Sequence, residues 1–179
     1  MSTRSYICKE NEDGTYTGIY CHSDGYLTYN GAMLIDHFNS RERVEKLISL
    51  GDMSILAPKI EPDPSAPHGF DFDVRQDDVC VFYGRDRGET ETEAKKVKLE
   101  DLDGPDSWIE FIYIFGKDNV WRYFEGGELN KGLKSVQEDL DRVYEEYGFP
   151  RPADFYGFYS QEAINELRKE YQKKQVEMS

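Results

Sequence analysis

The chain is poor in cysteine and histidine, with three of each among 179 residues. An odd number of cysteines with no Cys-x-x-Cys pair argues against a disulfide framework and predicts reduced thiols. Cys8, Cys21, His22, His37, His68 and Cys80 are the available soft ligands. Structural zinc takes four such groups, mostly in close pairs, and the adjacent Cys21 and His22 would face opposite ways on a strand. No resident metal or cofactor is therefore expected. No apolar run approaches the roughly 18–20 residues of a membrane span, and Met1-Ser2-Thr3-Arg4 leads directly into polar sequence without a signal-peptide core. A cytoplasmic location with no membrane partner is the expectation. Basic residues are also short: 22 Lys and Arg against 36 Asp and Glu give a formal charge of −14. That excludes a broadly basic nucleic-acid binder, because neutralising phosphates needs clustered Lys and Arg. Internal repeats and low-complexity tracts are absent.

What the chain does have is aromatic side chains, 14% of the total, enough to argue against disorder. The length allows roughly 70% of the unfolded surface to be buried without staples. The negative charge is unevenly spread. Residues 61–130 hold 18 acidic and 8 basic side chains, a net of −10, whereas the segments before and after each carry −2. Ten uncompensated charges of one sign repel nucleic acid and attract a basic protein surface.

Thr3 to Glu10 and Thr15 to Cys21, joined through Asn11-Glu12-Asp13-Gly14, read as a β-hairpin. A short helix is predicted near Asn30–Phe38. A second begins at an Asn39-x-x-Glu42 capping box, carries Val44, Leu47 and Ile48 on one face, and ends at Gly51. Four prolines between Pro58 and Gly69 mark an extended loop. Phe70-Asp71-Phe72-Asp73-Val74 alternates as a half-wet strand does, and Val79–Tyr83 and Trp108–Phe115 read as central strands. Gly84–Asp106 is charged and irregular, with an edge strand near Ala94–Leu99. Gly116–Asn119 turns the chain into Val120–Phe124, a second hairpin. Two helices end the chain, one striped by Leu133, Val136, Leu140, Val143, Tyr144 and Tyr147, the other by Ala163, Ile164, Leu167 and Tyr171. The expected fold is α+β: a mostly antiparallel sheet with helices on one face and two C-terminal helices. Residues 1–130 form an α+β domain with an acidic middle segment, and 131–179 a C-terminal helical extension packed on it.

Three groups of residues carry candidate chemistry. Asp71 and Asp73 on one strand face, with Asp77 and Asp78 nearby, have the spacing of a Mg²⁺ site and equally that of any half-exposed strand. Tyr20-Cys21-His22-Ser23-Asp24-Gly25-Tyr26 is the densest polar cluster. There His22 beside Asp24 suits general acid–base work on an RNA 2′-hydroxyl, with Arg4, Arg85 and Arg87 as phosphate contacts. The bland alternative is that His22 and Asp24 cap a turn while the arginines pair internally. Finally, Glu89, Glu91, Glu93, Glu100, Asp101 and Asp103 form the acidic middle, and Tyr156 and Phe158 stand in an aromatic, proline-containing linker suited to anchoring a partner.

Met1-Ser2-Thr3-Arg4-Ser5-Tyr6-Ile7, then Gly18-Ile19-Tyr20-Cys21-His22-Ser23-Asp24-Gly25-Tyr26, resembles a family of small proteins from phages and mobile elements of Gram-positive bacteria. Leu47-Ile48-Ser49-Leu50-Gly51-Asp52-Met53-Ser54 and Tyr83-Gly84-Arg85-Asp86-Arg87-Gly88 extend the likeness over roughly residues 1–125. Some proteins with a similar N-terminal module are anti-CRISPR proteins acting on type II-A systems, one of them on guide RNA. Many relatives carry Trp where this chain has Ser23. The resemblance implies a counter-defence protein whose partner is a CRISPR effector nuclease or another basic protein, with no free nucleic acid bound. An RNase that cleaves guide RNA on the nuclease is the enzymatic alternative, and a phage regulatory protein the third.

Overall fold

The computed structural model describes residues 2–151 and 161–179. Strands β1 (Ser5–Glu10) and β2 (Tyr16–Cys21) form the first hairpin, in register from Ser5 opposite Cys21 to Glu10 opposite Tyr16. Its turn closes with the Asn11 N–H on the Thr15 carbonyl and places Gly14 at φ +83°, a left-handed conformation that glycine adopts without cost. A π-helical turn, Leu27–Gly31, runs directly into α1 (Ala32–His37). Helix α2 (Arg41–Ser49) follows. Its N-cap is Ser40, whose hydroxyl accepts from the Arg43 N–H, one residue after the Asn39 that the capping-box pattern suggests. Then come β3 (Met53–Ile55), β4 (Val81–Phe82), α3 (Tyr83–Arg87), β5 (Lys95–Val97) and α4 (Leu99–Asp103). The second hairpin is β6 (Phe111–Phe115) with β7 (Trp121–Glu125). After it stand β8 (Lys134–Ser135), α5 (Val136–Tyr147) and α6 (Gln161–Met178).

The strands make one sheet in the order β4-β3-β2-β1-β6-β7-β8, with β5 paired to the first half of β2. Neighbours are antiparallel except β1 with β6 and β2 with β3, so the mostly antiparallel α+β reading holds. Side chains alternate across the sheet. Ile7, Ile19, Tyr113, Phe115, Trp121 and Tyr123 face a large core closed by α1, α2 and α5, while Cys8, Ile112, Ile114 and Phe124 face a small one closed by Leu99 and Leu102 of α4. Val136, Leu140 and Tyr144 of α5 are fully buried in the same core as the first hairpin, and Ile164 of α6 is buried there too. Tyr156 and Phe158 lie outside the described residues.

Three expectations are corrected. Phe70–Val74 is not a strand: the Val74 and Arg75 N–H groups turn back onto the Asp71 carbonyl, and Phe72 is 87% exposed. Alternation yields a strand only where a neighbouring edge offers hydrogen bonds, and here the Arg75 guanidinium, beside the Phe70 and Phe72 rings, donates to the Phe70 carbonyl instead. Asp71 and Asp73 therefore share no strand face. Val79–Tyr83 is buried but supplies only a two-residue strand at the sheet edge. Its burial comes from the Ala57–Ile60 segment, since the Lys59 N–H meets the Asp78 carbonyl and the Cys80 N–H meets the Lys59 carbonyl. Trp108 stands outside the sheet and is 74% exposed.

A buried ionic cluster ties the proline-rich loop to the sheet edge. The Asp86 carboxylate accepts from the Phe82 N–H at 2.8 Å and from Arg85 Nε at 2.9 Å, and lies 3.5 Å from His68 Nε2. Arg85 also donates to the Ile60 and Cys80 carbonyls and lies over the Phe82 ring. Removing Asp86 leaves Arg85 with no carboxylate nearer than Glu61 at 4.0 Å, so Asp86→Ala is expected to cost about 3 kcal/mol in urea unfolding. A loss below about 0.5 kcal/mol, the usual ceiling for an exposed pair, would show that the cluster is not a structural tie.

Candidate functional site

The polar cluster of residues 20–26 sits at the end of the first hairpin, and its backbone is fixed from four sides. The His22 and Ser23 N–H groups donate to the Met53 and Ser54 carbonyls, the Gly25 N–H donates to the Thr3 carbonyl, and the Tyr113 hydroxyl donates to the Gly25 carbonyl at 2.6 Å. Asn30, fully buried in the π-helical turn, directs its amide at Ser5 Oγ, Cys21 Sγ and the Ser23 carbonyl. Glycine at 25 is obligatory, because a Cβ there would lie 2.6 Å from that of Ser5. This support accounts for the density of polar groups in the segment: several of them hold the loop rather than face a substrate.

The register leaves Tyr20, His22 and Arg4 on the sheet face away from α1, α2 and α5. The Tyr20 hydroxyl lies 2.7 Å from His22 Nδ1, and the Arg4 guanidinium is near enough for its charge to act on the same hydroxyl. Burial raises the Tyr20 pKa, and the guanidinium partly offsets that rise. Arg4 has no carboxylate within ion-pair distance among the described residues. Arg4 and Tyr20, with Ser107, Trp108 and Ile109, line a cleft of about 530 Å³.

The other residues of the acid–base hypothesis do not join this group. Asp24 adopts φ +53° and forms no ion pair with His22; its main-chain carbonyl accepts from the Asn30 N–H. Arg85 is spent in the Asp86 cluster, and Arg87 lies over the Phe70 ring, 3.8 Å from Glu89. Tyr20, which links Arg4 to His22, is a member that a search for acid–base pairs passes over. Its one sequence signal is its position two residues before His22 on the same strand face.

The acidic residues fall into two groups. Glu91 and Glu93 lie on the loop before β5, and Glu100 and Asp101 on α4 beyond it. All four are exposed and free of ion pairs among the described residues, with Lys95, Lys96 and Lys98 between them. Glu89 pairs with Arg87, and Asp103 accepts from the Gly127 and Leu129 N–H groups. Among the described residues no three His, Cys, Asp or Glu side chains converge as a metal site. No described helix is long and apolar enough to cross a membrane. No family model matches the chain, nor does any curated protein or solved structure.

Burial raises the Asp24 and Asp52 carboxyl pKa values above the ordinary range. A carboxyl whose folded pKa exceeds its unfolded one favours folding most fully below the unfolded value, and that contribution fades as pH rises through the folded value. Asp24→Asn removes the desolvated charge and suits the left-handed backbone. It should therefore raise the melting temperature at pH 7 and lose that advantage in acid, below about pH 4. An equal melting-temperature loss at every pH would contradict this. Burial also lifts the Cys21 thiol to about 11 and the Cys80 thiol to about 12, and raises that of Cys8. A disulfide reagent at pH 8 should accordingly modify the native chain on the order of 100-fold more slowly than the urea-unfolded chain. A rapid phase in the native protein would exclude that.

Proposed function

We propose that the chain is a phage or mobile-element counter-defence protein, an acidic binding module that inhibits a type II-A CRISPR effector nuclease by occupying a basic nucleic-acid-binding surface. The observation that carries this reading is the set Glu91, Glu93, Glu100 and Asp101, exposed and without ion pairs among the described residues while arginines elsewhere are spent on internal bonds. Arg41, Arg43 and Arg85 donate to main-chain carbonyls, and Arg151 pairs with Asp36. Arginines held this way neutralise little of the acidic surface. A channel built to hold a nucleic-acid backbone is strongly basic, so carboxylates on a loop and a short helix complement it and speed association.

The guide-RNA nuclease reading retains one favourable feature, the Arg4–Tyr20–His22 chain beside a cleft. It has lost the orienting carboxylate of Asp24 and the phosphate contact of Arg85. Binding without cleavage fits the arrangement better.

The fourfold variant Glu91→Lys, Glu93→Lys, Glu100→Lys, Asp101→Lys should bind the effector nuclease on the order of 100-fold more weakly and lose inhibition. The unaltered chain should lose affinity steeply between about 0.05 and 0.3 M salt. Full inhibition by the fourfold variant would overturn the proposal. Guide RNA incubated with the chain and the nuclease should run intact on a denaturing gel; cleavage that His22→Ala abolishes would replace the binding reading with the enzymatic one.

A further inference from the structure

Trp108 is 74% exposed, whereas Trp121 is buried with its indole N–H on the Phe38 carbonyl at 2.8 Å. The backbone that carries the exposed ring is held in place. Trp108 takes φ +60°, a region that bulky side chains rarely occupy. Ser107 locks the turn on both sides: its N–H donates to the Gly104 carbonyl, its hydroxyl donates to the Leu102 carbonyl, and its oxygen accepts from the Ile109 N–H. The opposite wall is fixed as well. The Gly126 N–H donates to the Glu110 carbonyl, and a Cβ at Gly126 would lie 2.2 Å from the Ile109 carbonyl oxygen. A solvent-facing indole carried on a closed turn gains little for the core, since burial is what makes tryptophan stabilising.

The space beside it is a groove of about 900 Å³ at the end of the sheet, where β6 begins and β7 ends. Arg4, Asp103, Glu110 and Glu125 are its charged lining. Three acidic residues line it against one basic residue, so the groove carries net negative charge. Glu110 and Glu125 have no ion pair among the described residues. An indole face flanked by free carboxylates is complementary to a planar cation: the ring's negative face meets the guanidinium, and the carboxylates accept from its N–H groups. Arginine suits this better than lysine, whose ammonium neither stacks nor presents two parallel donors. Nucleic acid fits less well, because stacking on Trp108 would bring phosphate against Glu110 and Glu125.

We infer that the Trp108 groove is a docking site for an arginine side chain presented by a basic segment of a partner protein, with the guanidinium over the indole and bonded to Glu110 and Glu125. The inference deepens the binding-protein reading by naming the anchor contact. It adds a short-range, geometrically specific interaction to the long-range attraction of Glu91, Glu93, Glu100 and Asp101. An aromatic in a pocket ringed by polar groups is the usual form of an interface hot spot.

The test uses the intact chain and a hexa-arginine peptide, with the two indole N–H resonances as reporters. On titration the Trp108 signal should move and the Trp121 signal should stay, the latter also reporting that the fold is intact. Trp108→Phe, followed by backbone amide shifts around Ile109 and Gly126, should weaken the peptide about tenfold, and Glu110→Gln with Glu125→Gln on the order of tenfold. Three results overturn the inference: no movement with hexa-arginine, equal movement with hexa-lysine, or movement with an oligo-uridine RNA instead. Because the peptide is read without any nuclease, peptide binding with no nuclease inhibition would leave the groove standing and remove the counter-defence reading. Inhibition unaffected by Trp108→Ala would do the reverse.

Discussion

The parallel seam between β1 and β6 is the constraint on which the rest of the structure depends. Each hairpin is a local product of its own sequence, but β1 and β6 are a hundred residues apart and must meet in one register, Ser5 against Phe111 through Lys9 against Phe115. That pairing buries both faces of the central strands and gives the chain a core on each side. It also joins the starts of the two hairpins, because the Glu110 and Phe111 N–H groups both donate to the Arg4 carbonyl. Arg4, at the end of the first hairpin, thereby comes to line the same groove as Trp108, which leads into the second. Loosening the seam would separate the residues from which any site at this end is built.

Elements set by neighbours in sequence were legible, and those set by distant partners were not. Asn11–Gly14 marked the first hairpin, and Val44, Leu47 and Ile48 marked α2 with their helical spacing. Gly148 after the α5 stripe does adopt the left-handed cap, φ +88°. Phe70–Val74 carried an equally clear alternating pattern but takes no place in the sheet, because the Asp71 carbonyl accepts from the Val74 and Arg75 N–H groups and closes the segment as a turn. An alternating pattern records what a strand would bury and says nothing of whether a partner exists. The same limit applies to the sites. His22 beside Asp24 looked like an acid–base pair, yet the left-handed backbone at Asp24 and the support from Asn30 and Tyr113 make the segment chiefly a fixed loop. Tyr20 and Trp108 entered the site through the register and through a turn that only the fold defines.

The charge has a structural origin as well. Arginine is used here mainly as an internal multidentate donor: Arg41 reaches the Glu10 and Gly116 carbonyls, Arg43 those of His37 and Pro58, and Arg85 those of Ile60 and Cys80. Each cation closes a stretch of irregular backbone whose carbonyls would otherwise lie buried without donors, which is a large part of the work in a fold with long loops. The acidic residues are distributed differently. Apart from Asp86, and from Asp36 in its pair with Arg151, few carboxylates are enclosed. The surface is thus more negative than the composition alone implies, because several positive charges that would balance it point inward.

In the proposed binding reading, this division gives the acidic segment and the Trp108 groove different ranges. Lys95, Lys96 and Lys98 break the acidic run into two groups, so its field is broad and holds no fixed geometry. Orientation must then come from a rigid contact, and the groove is where the backbone is most constrained, between the Ser107 turn and the close approach of Gly126 to Ile109. On that proposal a dispersed field sets how fast a basic partner arrives, and an indole beside carboxylates sets which side chain stays.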